Sequence, residues 1–235
     1  MRSAIERCEL QQRSLTDLKV EEGASLPGEP FTFTVYLETA AAHNMPSGAA
    51  SDRRMWLEVV AYDAAGDELL RTDEIADGEL EIKPERDPNF CVFRDRILDA
   101  SGEETHMFWE AAARDEEQSA ALPPQIDVTV RHYAECKYTT TRVALEPAAR
   151  IDIHVRMRPM GMDVLQDLIG SGHLDEQYAR ATPTFTVARR TAAYDPTRRL
   201  YQTRDLTDND CDEHVRLLAC ATDPSMPDCA DLKSP

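Results

Sequence analysis

Apolar and polar residues alternate with a period of two along most of this chain, the pattern of strands half-buried against a core. It is clearest over residues 31–38, where Phe31, Phe33, Val35 and Leu37 alternate with Thr32, Thr34, Tyr36 and Glu38. Residues 55–62, 90–98, 126–133 and 151–157 repeat it. Residues 184–188 form a shorter late run, and an early strand falls between 15 and 20. Asp63-Ala64-Ala65-Gly66 reads as a hairpin turn into a strand at 68–71, and Asp99-Ala100-Ser101-Gly102 as a second turn of that type.

One segment departs from this period. Apolar residues at 164, 165, 168 and 169 have helical spacing, and Gly170 or Gly172 supplies a C-terminal signal. A second helical turn is expected at 174–180, stopped by Pro183. Residues 103–124 read as loop, ending in Pro123-Pro124, and from about 192 the alternation fades. Many short strands and little helix predict an all-β, immunoglobulin-like antiparallel β-sandwich with one or two short helices and an irregular C-terminal tail. The expected organisation is an N-terminal extension over 1–14, the sandwich over 15–191, and an acidic, cysteine-containing tail over 192–235.

Charge narrows the function classes. Across 235 residues, 26 basic side chains face 44 acidic ones, a net charge of −18. Nucleic-acid and anionic-membrane binding need surface Lys and Arg to neutralise phosphate, so both are disfavoured. A basic protein partner, cations or plain solubility fit better. No apolar run reaches the ~20 residues that span a bilayer. Residues 1–8 lack the apolar core of a secretory signal, which leaves a cytosolic protein, a removed signal or a piece of a longer polypeptide.

Six cysteines stand at 8, 91, 136, 211, 220 and 229, an even count that suits disulfides in an oxidising compartment. The 211/220/229 spacing reads as a stapled tail. There is no CxxC, so neither a zinc knuckle nor a thioredoxin-type site is supported. There is no CxxCH either: Cys211-Asp212-Glu213-His214 lacks the second cysteine, and covalent attachment of a c-type haem is not expected.

The candidate chemistry centres on His43-Asn44-Met45-Pro46-Ser47-Gly48. A loop stiffened by Pro46 and given freedom by Gly48 holds one imidazole in place. That imidazole either ligates a metal or cofactor presented by a partner, or bonds the loop's own backbone, with Asn44 and Ser47 as turn-forming helpers. Arg53 and Arg54 follow; their planar forks suit carboxylates of a partner or of this chain, while Trp56 reads as core. His106-Met107-Phe108-Trp109 carries two haem-ligand residue types, but also reads as a piece of core or a docking edge. His132 and His154 sit in alternating strands as surface or satisfied positions, and His173 caps the helix end. The acidic run 205–213 lacks EF-hand spacing and reads as solvated tail rather than a Ca²⁺ site. No nucleophile elbow, phosphate loop, HExxH or dinucleotide fingerprint occurs, so no catalytic activity is expected.

An ordered set of segments resembles a known module. Pro27-Gly28 precedes the first long strand and His43-Asn-Met-Pro-Ser-Gly48 follows it. Then come Arg54-Met-Trp-Leu-Glu-Val59, Asp63-Ala-Ala-Gly66, a run from Val92 through Arg94-Asp-Arg96 to Gly102, and His106-Met-Phe-Trp109. Val155-Arg-Met-Arg-Pro159 and the helix with Gly170-Ser-Gly-His-Leu-Asp175 close the set. Together, over roughly residues 15 to 190, they resemble the β-sandwich domain C-terminal to the haem-bearing part of bacterial multihaem c-type cytochromes of the cytochrome c554-like kind. Ala42 stands where that family usually has Gly, and Ser47 where it has Thr. The haem-binding part is absent. The resemblance implies a non-catalytic accessory subunit or a split-off domain, periplasmic or extracellular, docking on a multihaem c-type cytochrome, with no covalent cofactor of its own. His43 would then be a haem axial ligand in trans, and His43, Asn44, Pro46, Gly48, Arg53 and Arg54 the haem or partner contacts. The alternatives are an independent β-sandwich binding or adhesion module and, behind it, a hydrolase.

Overall fold

The alternating segments become the strands of two antiparallel sheets. The computed structural model describes residues 17–23, 28–39, 43–46, 50–72, 75–76, 79, 87–116, 119–124, 133–143, 146–177 and 184–205. The first sheet has the order β1 (Asp17–Glu22), β2 (Pro30–Glu38) and β8 (Ala134–Val143). The second runs β11 (Leu200–Asp205), β10 (Phe185–Asp195), β9 (Arg150–Arg158), β3 (Arg54–Tyr62) and β4 (Glu68–Arg71). A further strand, β5 (Cys91–Phe93), shares the edge of β3 with β4, pairing residues 55–57 while β4 pairs 60–62. A small third sheet joins β6 (Ile97–Leu98) to β7 (Ala113–Arg114).

The period-2 pattern decides which residues meet between the layers. Leu18 and Val20 of β1, Phe31, Phe33, Val35 and Leu37 of β2, and Cys136 and Tyr138 of β8 form one inner face. Met55, Leu57, Val59 and Ala61 of β3 and Ile151, Ile153 and Val155 of β9 form the other. Phe33 stacks on Tyr138 with ring centroids 5.1 Å apart. The edges are tied as well. A Cys91–Cys136 disulfide joins β5 to β8 across the sandwich, Asn89 Oδ1 accepts from Thr139 N at 2.8 Å, and Tyr194 Oη donates to Glu22 Oε2 at 3.2 Å.

The central strand β3 is covered on both faces. Trp56 is fully buried on the outer face with Ile75 and Phe90, and Val92 packs against them. Arg158, also fully buried, lies over the Trp56 ring at 5.6 Å. It donates to the carbonyls of Glu79 at 2.7 Å and Ala76 at 3.1 Å, which holds the covering segment down. Trp56 is therefore core, as expected, but the core of a satellite cluster.

The helix α1 (Met162–Gly170) buries Met162, Val164 and Leu165. Gly172 takes φ +76° and donates to Ile169 O, while His173 N reaches Leu168 O, the pair of bonds that closes a helix in a Schellman motif. His173 also sits 2.8 Å from Ser171 Oγ through Nδ1.

Three sequence expectations need correction. The run 90–98 is two strands, because at Arg94 the chain leaves β3: Arg94 and Ala120 exchange backbone hydrogen bonds of 2.8 and 3.0 Å. Strand structure also continues past residue 192, through Asp195 and again from Leu200, so the 191 boundary falls inside β10. Third, β8 was not anticipated. The expected strand at 126–133 lies outside the described residues except for Tyr133, as do residues 1–14, the tail beyond 205 with its acidic run, and Cys8, Cys211, Cys220 and Cys229. No described helix is long and apolar enough to cross a membrane.

Candidate functional site

The His43 loop and the 94–116 segment lie side by side. Met45 and Leu122, both buried, exchange backbone hydrogen bonds of 2.9 and 2.7 Å, and the Met45–Pro46 peptide is cis. A polar pocket of about 190 Å³ opens there, lined by Asn44, Pro46 and Ala50 from one side and Arg94, Asp95 and Arg114 from the other. Arg114 closes its rim by donating from Nε and Nη2 to Asp95 Oδ1 at 3.0 and 2.7 Å.

His43 is exposed, with Nδ1 3.0 Å from the Asn44 carbonyl. A carbonyl only accepts, so Nδ1 carries the proton in this contact, and in the neutral ring the lone pair sits on Nε2. Metal-bound histidines are commonly oriented this way, one nitrogen donating to a backbone carbonyl while the other ligates. Of the two readings of His43, the contact the structure shows is the bond to the loop's own backbone. Asn44 and Pro46 line the pocket. Ser47 and Gly48 lie outside the described residues.

The two arginines separate. Arg53 is half-buried at the entrance to β3. Arg54 is fully buried. It donates from Nη2 to Asp163 Oδ2 at 2.8 Å and from Nη1 to the carbonyls of Ser51 and Arg53 at 2.6 and 3.1 Å. It pairs with a carboxylate of its own chain and presents no surface to a partner's propionate.

From Asp163 the charges continue outward. Arg94 Nη2 meets Glu104 Oε1 at 2.6 Å, Arg96 Nε meets Glu104 Oε2 at 2.9 Å, and Arg96 Nη1 meets Asp115 Oδ2 at 2.9 Å. His106 Nε2 lies 3.7 Å from both Asp163 Oδ2 and Asp167 Oδ2. Burial alone would raise the Asp163 carboxyl, but the Arg54 charge and hydrogen bond outweigh it and hold the group below its ordinary value. Glu104, His106 and Asp163 bring ligand atoms within 4.8 Å of one another, as a cation site would. Yet both carboxylates already accept from guanidiniums, which oppose a divalent ion, so the cluster reads as an ion-pair network anchoring the 94–116 lobe to α1.

At the tip of that lobe stand Phe108 and Trp109, whose sequence reads as core or docking edge. They are the most exposed large apolar residues among those described, 75% and 68% accessible. Their rings contact edge to face, with centroids 5.1 Å apart. A β-turn presents them: Glu110 N donates to Met107 O at 2.8 Å, Met107 N to Thr105 Oγ1 at 3.1 Å, and Thr105 Oγ1 to Glu110 Oε2 at 3.2 Å.

This fold has a counterpart among solved structures. The chain is similar to a penta-heme cytochrome c552 from Thermochromatium tepidum, with a TM-score of 0.50 and 18% sequence identity. The match covers 77% of this chain but 40% of the cytochrome, so the chain spans well under half of that protein's length. At this identity the likeness is one of fold. No protein-family model and no curated protein matches the sequence.

On the outer face of the second sheet, His154 Nδ1 is 3.5 Å and Arg156 Nε 3.6 Å from the two oxygens of Glu58. The contact with His154 lowers the Glu58 pKa. His154 is therefore a satisfied surface position, as the alternation implies. His132 lies outside the described residues.

Proposed function

We propose that this chain is a non-catalytic accessory subunit that docks on a multihaem c-type cytochrome in an electron-transfer complex outside the cytoplasm. The observation that carries this reading is the fold likeness to part of a penta-heme cytochrome in a sequence with no CxxCH motif. On this reading the 235 residues supply the sandwich, and any covalent haem is carried outside them. The Cys91–Cys136 disulfide supports an oxidising compartment. The exposed His43 and the exposed Phe108–Trp109 turn are the candidate partner-facing groups, and His43 is the candidate axial ligand to a partner's haem.

The test is an absorption spectrum of the protein purified gently from its native source, beside that of the chain expressed alone. A Soret band in the native preparation only is the expected result. His43→Ala should then weaken docking or shift the partner's haem spectrum while the domain stays folded. A colourless native preparation overturns the reading.

A further inference from the structure

Turn apices are normally occupied by Gly, Pro, Asn, Asp or Ser, which favour the backbone geometry and face water at little cost. Here the two central positions of the Met107–Glu110 turn are Phe108 and Trp109. Neither aids the turn, and both leave most of their ring surface in water. Local propensity and solvation are overridden together, a conflict that marks a functional position.

The turn is also stiff. Thr105 Oγ1 accepts from Met107 N and donates to Glu110 Oε2, bracing the turn from below. Arg94 and Arg96 hold the lobe from behind through Glu104 and Asp115. A rigid aromatic pair loses little conformational freedom on docking, the property of an interface anchor. Around the tip the surface is acidic. Residues 94–116 carry three arginines against seven carboxylates. The arginines are all in ion pairs within the lobe, while Glu103, Glu110 and Glu116 are exposed.

We infer that Phe108 and Trp109 are the anchor by which this chain engages the haem-bearing subunit, inserting into an apolar recess rimmed by Lys and Arg. The inference rests on the proposed accessory role and adds the docking surface and the chemistry of the partner's face. The aromatic pair supplies the holding contact. The exposed glutamates steer the approach and set the partner's sign.

The experiment separates the haem-bearing polypeptide from the native complex and titrates it with recombinant full-length chain. Wild type, the double variant Phe108→Ser with Trp109→Ser, and the charge reversal Glu103→Lys with Glu116→Lys are compared. The serine variant should bind at least about 30-fold more weakly, the loss expected of a hot spot. The charge reversal should slow association, and added salt should slow the wild type in the same direction. Bound haem should quench Trp109 emission. All the substituted side chains are exposed, so circular dichroism and Tm should match wild type. Equal binding by the serine variant overturns the anchor while leaving the accessory role standing. A native preparation without a haem-bearing polypeptide overturns the role and this inference with it. Sedimentation showing a Trp109-dependent dimer of the chain alone assigns the pair to a second copy and overturns the inference.

Discussion

Arg54 and Asp163, 109 residues apart in sequence, meet at 2.8 Å, with the guanidinium fully buried and the carboxylate one third exposed. The pair joins the first residue of β3 to the first turn of α1, where an acidic side chain also complements the helix dipole. Gly161 makes the approach feasible: a Cβ there would run into Asp163 Oδ1 and lie 3.0 Å from Arg54 Cζ and Nε. Arg94 Nη1, 3.8 Å from Asp163 Oδ2, links the lobe that presents Phe108 and Trp109 to this junction.

Removing one partner leaves the other charge buried and uncompensated. Asp163→Asn should cost roughly 3 kcal/mol, the low end of the range for a broken buried pair because Asp163 is partly solvated. Gly161→Ala should cost about 1–3 kcal/mol by overpacking against the Asp163 carboxylate and the guanidinium it holds. Chemical denaturation of both variants checks the sizes; values near zero would mean that Arg54 finds other partners.

The same pair sets a pH dependence. Asp163 and Glu58 both have folded-state pKa values below their ordinary ones. The unfolded chain therefore binds more protons in the acid range, and stability rises with pH there. The contribution is fully present above the ordinary carboxyl range and is lost as pH falls through the lower folded values, below about pH 4. Stability measured from pH 6 down to 2 should fall more steeply for wild type than for Asp163→Asn.

How much of this was legible depends on what faces inward. Strands β2, β3 and β9 put Phe, Leu, Met, Val and Ile on the core side, so their alternation is plain. In β8 the inward residues are Cys136, Tyr138 and Thr140, with threonine on the other face as well, and the contrast is lost. In β10 the start is plain at 184–188, but Arg190 then sits nearly buried on the face of Ala188 and Ala192, which hides the continuation to Asp195. The helix was legible from its spacing and its glycines. At the site, the His43 loop could be read from Pro46. That Arg54 would be buried could not be read, because its partner is distant in sequence. Nor does any local pattern separate an aromatic pair in the core from one on a turn apex. Thr105 and Glu110, the braces of that turn, carry no signal in sequence beyond being polar.

The Cys91–Cys136 bridge closes a loop of 45 residues and joins the two sheets. In the chain-entropy account, removing such a cross-link destabilises by about 4 kcal/mol. Cys136 is nearly fully buried, so the double replacement Cys91→Ala with Cys136→Ala tests the link without leaving a lone thiol. Its denaturant midpoint should fall, and reductant should lower the wild-type midpoint but not the variant's. An unchanged wild-type midpoint under full reduction would show that the sandwich does not need the bridge.

The chain has two tryptophans in opposite environments, Trp56 fully buried and Trp109 68% exposed. Trp109→Phe should leave an emission that is blue-shifted and barely quenched by acrylamide. Trp56→Phe should leave one that is red-shifted and freely quenched. Stability should separate the same way. Trp56→Ala removes a ring packed on Ile75, Phe90 and Val92 and should cost about 3–5 kcal/mol. Trp109→Ala should stay within about 0.5 kcal/mol, as for a surface position. A loss of several kcal/mol at Trp109 would mean that the turn packs inward in solution, and the aromatic pair would then belong to the core rather than to a partner.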